Sequence, residues 1–171
     1  MSLPTERNNE CAPAPRGRCE LEDSLEILRN VSVFAGIPLP RLKLYAYLSR
    51  KMCFRAGEFV FRQGETGDRG YIVISGRLQV IRELKEHSVL LHEFKPGDFF
   101  GGMALLSDVN RLFSVRAVTS AECLSLDRES FRKLMIQFPE IAFKVLDMMI
   151  KRIVSMEEKL LQSQISEGVR G

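Results

Sequence analysis

The residues best placed to do chemistry lie in one stretch, Phe99-Phe100-Gly101-Gly102-Met103-Ala104-Leu105-Leu106-Ser107-Asp108-Val109-Asn110-Arg111-Leu112-Phe113. An apolar strand end runs into a glycine pair. A short helix-forming run, Met103 to Leu106, follows, then a polar loop, one arginine and a second strand, Leu112 to Val118. Glycines ahead of a helix let the backbone approach a ligand closely. The first turn of such a helix offers backbone N–H groups to an anion. Arg111 adds a planar, permanently charged fork suited to phosphate. The stretch reads as a phosphate cradle between two strands. A glycine pair is also a plain turn and a loop arginine also a solvated one, so the surrounding elements decide.

Those elements change period twice. Leu21, Leu25 and Leu28 recur at near-helical spacing, with Asp23 and Ser24 as candidate caps. Gly36-Ile37-Pro38 breaks the run, and Pro40 stands where a second helix can begin. From residue 50 short apolar runs alternate with glycine turns, the pattern of an all-β roll or barrel. Ile74-Ser75-Gly76-Arg77 reads as a tight hairpin, Val89 to Phe94 and Cys123 to Leu126 as strands. After Asp127 the helical period returns. Phe131, Leu134, Met135 and Phe138 share a face of a short helix that Pro139 ends. A long helix is predicted over about 140–162. Ala142, Leu146, Met149, Ile153, Met156 and Leu160 form an a/d seam on it, while Ile141, Val145 and Met148 can pack on the roll.

At 171 residues the chain suits one domain with flanking segments. The limits read are an arm, 1–20, disordered or loosely attached; a domain, 21–162; and a tail, 163–171. The formal charge of +3, from 25 basic and 22 acidic residues, is too slight to argue for nucleic acid. No apolar run reaches the about 20 residues of a membrane span, and no secretory signal opens the chain. Both point to a cytoplasmic protein without a membrane partner. On that footing Cys11, Cys19, Cys53 and Cys123 are expected as free thiols.

Taken in order, these pieces resemble the cyclic-nucleotide-binding domain family, which includes the bacterial catabolite activator protein and the regulatory subunits of cyclic-AMP-dependent protein kinase. The resemblance spans roughly residues 30–162. It rests on Phe54-Arg55-Ala56-Gly57-Glu58, Phe61-Arg62-Gln63-Gly64-Glu65, Tyr71-Ile72-Val73-Ile74-Ser75-Gly76, Phe94-Lys95-Pro96-Gly97-Asp98-Phe99-Phe100-Gly101, Met103-Ala104-Leu105-Leu106, Val115-Arg116-Ala117 and Leu126-Asp127-Arg128. It implies an α+β fold: a β-roll (a double-stranded jelly roll) flanked by N-terminal helices and followed by a short and a long C-terminal helix. It also implies a ligand, cAMP, cGMP or a related phosphorylated molecule, and no other cofactor. The residues that would meet it are Gly101, Gly102, Met103 and Ala104, then Arg111 at the family's phosphate-binding arginine, Leu112 and Phe113 beside it, and Met156 on the long helix.

Several of these depart from the family's pattern. Gly102 stands where the family has the glutamate that holds the ribose 2′-hydroxyl, and Asn110 replaces a proline. Leu112 and Phe113 replace small residues, and Met156-Glu157 replaces a Thr-Ser pair that reads the purine in the catabolite activator protein. A hydrogen bond to a carboxylate contributes about 1.5–3 kcal/mol, so losing it weakens binding roughly ten- to a hundredfold. A bulky residue on the ligand side costs about 1–3 kcal/mol if the pocket does not relax. Met156 can pack on a purine or serve only the seam. Two functions follow: a regulatory sensor signalling through the long helix, or a degenerate module acting as a dimerisation or interaction scaffold. A metal enzyme of the cupin type would need more than His87, His92 and Glu93, which diverge along a strand. A homodimer through the long helix is expected. The family's transcription factors continue into a helix-turn-helix domain, which is not read here, so DNA binding is not expected of this chain alone.

Overall fold

Short apolar runs from Arg50 to Asp127 form eight strands in two antiparallel sheets. The computed structural model describes residues 9–11 and 19–168. The strands are β1 (Arg50–Phe54), β2 (Phe59–Phe61), β3 (Arg69–Ser75), β4 (Leu78–Glu83), β5 (Ser88–Phe94), β6 (Phe99–Phe100), β7 (Ser114–Ala117) and β8 (Ala121–Asp127). One sheet has the order β1-β8-β3-β6 and the other β2-β7-β4-β5. The helices are α1 (Cys19–Asn30), α2 (Leu39–Leu48), α3 (Gly102–Leu106), α4 (Arg128–Gln137) and α5 (Pro139–Gly168). This is the α+β roll with flanking helices that the sequence implied.

The first sheet is covered on both faces, which explains why β3 is a nearly continuous apolar run. Tyr71 and Val73 point between the sheets, against Phe61, Phe94, Phe100 and Val115. Ile72 points the other way and joins Leu124 and Leu126 under the helices, against Phe34, Tyr45, Phe131, Leu134, Ile141 and Val145. The second sheet buries one face only, and its β4 alternates in the usual way.

The chain crosses between sheets where a hairpin was expected. β3 and β4 flank Ser75-Gly76-Arg77 but belong to different sheets and do not pair. Burial decides this. Tyr71 and Val73 must face Leu78 and Val80 across the roll, which pairing within one sheet forbids. Asp23 and Ser24, expected at the start of the helix, lie inside α1, which begins at Cys19. The cap of α4 is Asp127, whose carboxylate accepts the Ser130 N–H at 2.8 Å. Pro139 ends α4 and opens α5, which runs to Gly168 rather than to 162.

Residues 9–11 lie along β1. Glu10 bridges to Met52, and Cys11 N–H and Cys53 N–H bond to the carbonyls of Lys51 and Asn9 at 3.1 and 3.0 Å. Cys11 and Cys53 form a disulfide, which corrects the expectation of free thiols for that pair. Extended pairing to an edge strand set the two cysteines side by side, and a spacing of 42 residues did not show it. The rest of the predicted arm, residues 1–8 and 12–18, and the last tail residues, 169–171, lie outside the described residues. Cys123 stays a free thiol, buried in the roll, and burial pushes it up to about 12. Reduction, or Cys53→Ser, is expected to lower stability by about 2–4 kcal/mol for a loop of this length. Chemical unfolding with and without dithiothreitol measures it; equal midpoints would exclude the cross-link.

Candidate functional site

Arg111 is positioned from both sides of its chain. Its N–H bonds to the Glu65 carbonyl and its carbonyl accepts from Gly64, each at 2.8 Å, so the loop before β7 is pinned to the β2–β3 turn. Its side chain is buried at 7% exposure. Nη2 donates to the Arg69 carbonyl at 2.8 Å and Nη1 to the Gly101 carbonyl at 3.4 Å. The guanidinium lies 4.0 Å over the ring of Phe61. Two carbonyls and an aromatic face hold the fork in place before any ligand arrives.

The glycine pair serves two different purposes. Gly101 has φ +77°, and a Cβ there would stand 2.9 Å from the Arg69 carbonyl oxygen and 3.2 Å from Nη1 of Arg111. It keeps the seat of the arginine open. Gly102 instead makes room for α5. A Cβ on it would meet Met149 Sδ at 3.0 Å, Phe99 Cε1 at 3.1 Å and Val145 Cγ1 at 3.3 Å. The family's glutamate is thus absent from a place the long helix covers. α3 itself has five residues, too few for a strong dipole, and its Ala104 N–H turns back to the Gly101 carbonyl at 3.2 Å.

All of the sequence-predicted residues come together around one pocket. Gly101, Gly102, Met103, Ala104, Arg111, Leu112, Phe113 and Met156 line it. Leu112 and Phe113 precede β7 instead of opening it, so strand alternation does not govern them. Phe113 turns inward, 6.4 Å from Phe61, and Leu112 stays at the rim, where Arg82 bonds its carbonyl. Met156 is buried between the sheets and the pocket, not in an outer seam. Met149 also faces the pocket. The exposed apolar stripe of α5 is therefore Phe143, Leu146, Ile150, Ile153, Val154, Leu161 and Ile165, which shifts the predicted seam and keeps only Leu146 and Ile153 of it. The row Ile141 and Val145 packs inward as predicted.

Sequence reasoning quoted Arg128 only as part of Leu126-Asp127-Arg128, with no role, and passed over Arg152. Arg128 donates from Nε to the Ala104 carbonyl at 2.6 Å and from Nη2 to the carbonyls of Gly67 and Ser107 at 3.0 and 3.3 Å. It ties the end of α3 to α4. Arg152 of α5 donates to the Phe99 carbonyl at 2.6 Å and lies 4.7 Å over the ring of Phe94. Burial lowers its pKa, with Asp98 opposing. Together with Lys159, which reaches the Leu91 carbonyl at 2.6 Å, it straps α5 down over the roll. Arg152 stands beside Lys151 between Ile150 and Ile153, and nothing in that basic pair showed which of the two turns inward.

The pocket is small. Its volume is about 50 Å³, against the roughly 150 Å³ of an apolar cavity that holds benzene. Met148, Met149 and Met156 fill it from α5, and Phe61, Phe94, Phe100 and Phe113 wall it from the roll. Among the described residues its lining carries two arginines and Asn110, and no carboxylate, imidazole, hydroxyl or thiol. Nothing there takes or gives a proton near neutral pH. His92 lies outside it, edge-on to Phe94 at 5.0 Å. Burial, then Arg152, lower its pKa, so it is neutral in the fold. A histidine with a lowered folded pKa costs stability as pH falls below about 6.5, because only the unfolded chain takes the proton readily. Thermal unfolding from pH 7 to 5 is expected to show this loss, and His92→Gln to reduce it; an unchanged slope in the variant would refute the assignment. Among the described residues no cluster of histidine, cysteine and carboxylate groups could hold a metal ion. No helix among them is long and apolar enough to cross a membrane.

Comparison with known proteins agrees with this architecture. The family model "Cyclic nucleotide-binding domain" matches residues 51–138. The chain is 33% identical to a cAMP-dependent protein kinase regulatory subunit of Dictyostelium discoideum over 67% of its own length and 35% of that protein's. A cyclic nucleotide-binding-like protein from Brucella abortus superposes with a TM-score of 0.59 at 30% identity, over 66% of this chain and 97% of that one. The Thermus thermophilus catabolite activator protein superposes at 0.66 and 28% identity, over 78% of this chain and 62% of that one. The chain spans 58% or less of the length of the first curated relatives it matches. With a roll, a cradle and a capping helix in the family's order, the chain belongs to the cyclic nucleotide-binding domain family.

Proposed function

We propose that this domain is a regulatory sensor of a small anionic ligand, with the ligand's charge read at Arg111 and its arrival relayed by α5. The observation that carries the reading is the seat of Arg111: a buried, stacked guanidinium held beside Gly101 by two carbonyls. α5 packs directly on the cradle through Met149 and Val145. A ligand entering beside Arg111 must displace the methionines, and α5 shifts with them. A ligand that prefers the shifted arrangement moves the population toward it. Cyclic AMP and cyclic GMP are the first ligands to test, since the matched relatives are named for them. Calorimetric titration of nucleotide-free protein, with Arg111→Lys and Arg111→Ala beside it, decides the matter. Saturable binding weakened in both variants supports the sensor; silence toward every anion tried overturns it.

The cavity of about 50 Å³ favours a second reading, a scaffold that keeps the fold without a ligand. Both readings use α5 as an interface. Phe143 and Ile150 are 72% and 60% exposed on it, and Val154 and Leu161 extend the stripe. Its partner in this reading is a second copy of the chain, helix against helix. The double substitution Ile150→Glu with Val154→Glu is expected to yield monomers in sedimentation. If wild type and variant sediment alike, α5 is not the interface.

A further inference from the structure

The lining of the pocket speaks to the class of ligand, beyond its charge. A nucleotide brings ribose hydroxyls and a base edge, and each needs a partner once water is excluded. Among the described residues, the lining supplies no strong side-chain donor or acceptor apart from its two guanidinium groups and Asn110. The family's carboxylate has no room to return, because Met149, Phe99 and Val145 crowd Gly102. Met156 holds the place of a hydroxyl and lies buried among apolar neighbours.

What the lining does supply is an aromatic row with a cation at each end. Phe94 stacks on Phe100 at 4.7 Å, and Phe100 lies 6.1 Å from Phe61. Arg152 covers Phe94 at 4.7 Å and Arg111 covers Phe61 at 4.0 Å. Opposite the row lie the methionines of α5, whose unbranched thioether chains rearrange at little cost and pack well on rings. Arg152 is mostly withdrawn from water and, among the described residues, forms no ion pair. Its hydrogen bond goes to a neutral carbonyl, that of Phe99. Asp98 acts on this half-buried cation only from beyond pairing distance, which leaves room for a ligand that brings an anion into direct contact. A carboxylate matches a planar guanidinium in two parallel bonds.

We infer that the ligand is an apolar carboxylate, an anion with an aromatic or alkyl body, whose head is read by Arg152 at the Phe94 end of the row while the body runs toward Arg111 at the other. This rests on the anion-sensing reading and narrows it. The body lies along Phe61, Phe100 and Phe94 in the space the methionines vacate. The carboxylate neutralises the charge that Arg152 carries into the pocket, and in doing so loosens or redirects the strap that holds α5 to Phe99.

Titration calorimetry with 4-phenylbutyrate, its uncharged amide, cyclic AMP and inorganic phosphate tests it, on wild type and on Arg152→Gln and Arg152→Lys. Melting curves without ligand establish that both variants fold. Saturable binding of 4-phenylbutyrate is expected, at least about tenfold weaker for the amide and for Arg152→Gln, with partial recovery in Arg152→Lys. Equal binding of acid and amide, or an unchanged affinity in Arg152→Gln, would overturn the inference. If cyclic AMP or phosphate binds and 4-phenylbutyrate does not, the ligand class is wrong and the anion sensor stands. If no anion binds, both fail together.

Discussion

Gly102→Glu, which restores the family's acidic residue, is expected to cost about 3–5 kcal/mol of stability instead of creating a nucleotide site. The first carbon of the new side chain already lies 3.0–3.3 Å from Met149 Sδ, Phe99 Cε1 and Val145 Cγ1. The methionine can swing away; the Phe99 ring and the Val145 methyl are held in the core under α5. Overpacking of this kind costs about 1–3 kcal/mol. The carboxylate then enters an apolar space, and burying it imperfectly paired adds a penalty of similar size. The cheaper response is for α5 to lift off the cradle. Gly102→Ala separates the two terms, since it adds the Cβ without the charge and gains up to about 1 kcal/mol of helix propensity. Urea unfolding measures the stability, and hydrogen exchange along α5 reports whether the helix has lifted. A Gly102→Glu protein as stable as wild type, with α5 still protected, would show that the helix does not sit where Gly102 permits it.

Arg111→Ala carries the second large effect, and it falls on the ligand-free protein. The substitution leaves the Arg69 and Gly101 carbonyls without this donor and strips the charged face from Phe61. A hydrogen bond from a charged donor contributes about 1.5–3 kcal/mol and a stacked cation about 0.5–2 kcal/mol. These terms share one side chain and do not simply add, so a loss of about 3–4 kcal/mol is expected. Arg111→Lys keeps the charge but not the two-pronged fork, and should recover part of it. Unfolding of both variants without ligand checks this, and an unperturbed Arg111→Ala protein would mean the arginine is not seated in the roll. The consequence for binding work is direct. A titration lost in Arg111→Ala conflates a vanished ligand contact with a collapsed cradle, whereas Arg111→Lys separates them.

Much of this protein was determined by local sequence. β4 announced itself by alternation and β3 by an unbroken apolar run between turns, whereas the two-residue β6 showed only as an apolar strand end. Asp127 and Pro139 placed the ends of α4, because a cap and a missing N–H act within one turn of the chain. Arg111 was legible as the cation of the pocket because its loop and flanking strands follow in order. The row Ile141 and Val145 showed which side of α5 meets the roll.

Other features were decided only when distant segments met. Ile74 to Arg77 resembled a hairpin because the local turn is the same whether a chain pairs with itself or crosses to a facing sheet; burial of Val73 and Val80 in one core chose the crossing. Cys11 found Cys53 through edge pairing with β1, which no spacing rule reveals. Gly102 looked like a lost ligand contact, and its neighbours show it as a packing site for α5. Met149 and Met156 fit a heptad by spacing, yet face the pocket, since a helix with apolar residues on two sides is oriented by what it packs against and not by its own period. Arg152 belonged to no motif at all, and its place over Phe94 arises where α5 crosses the end of the roll.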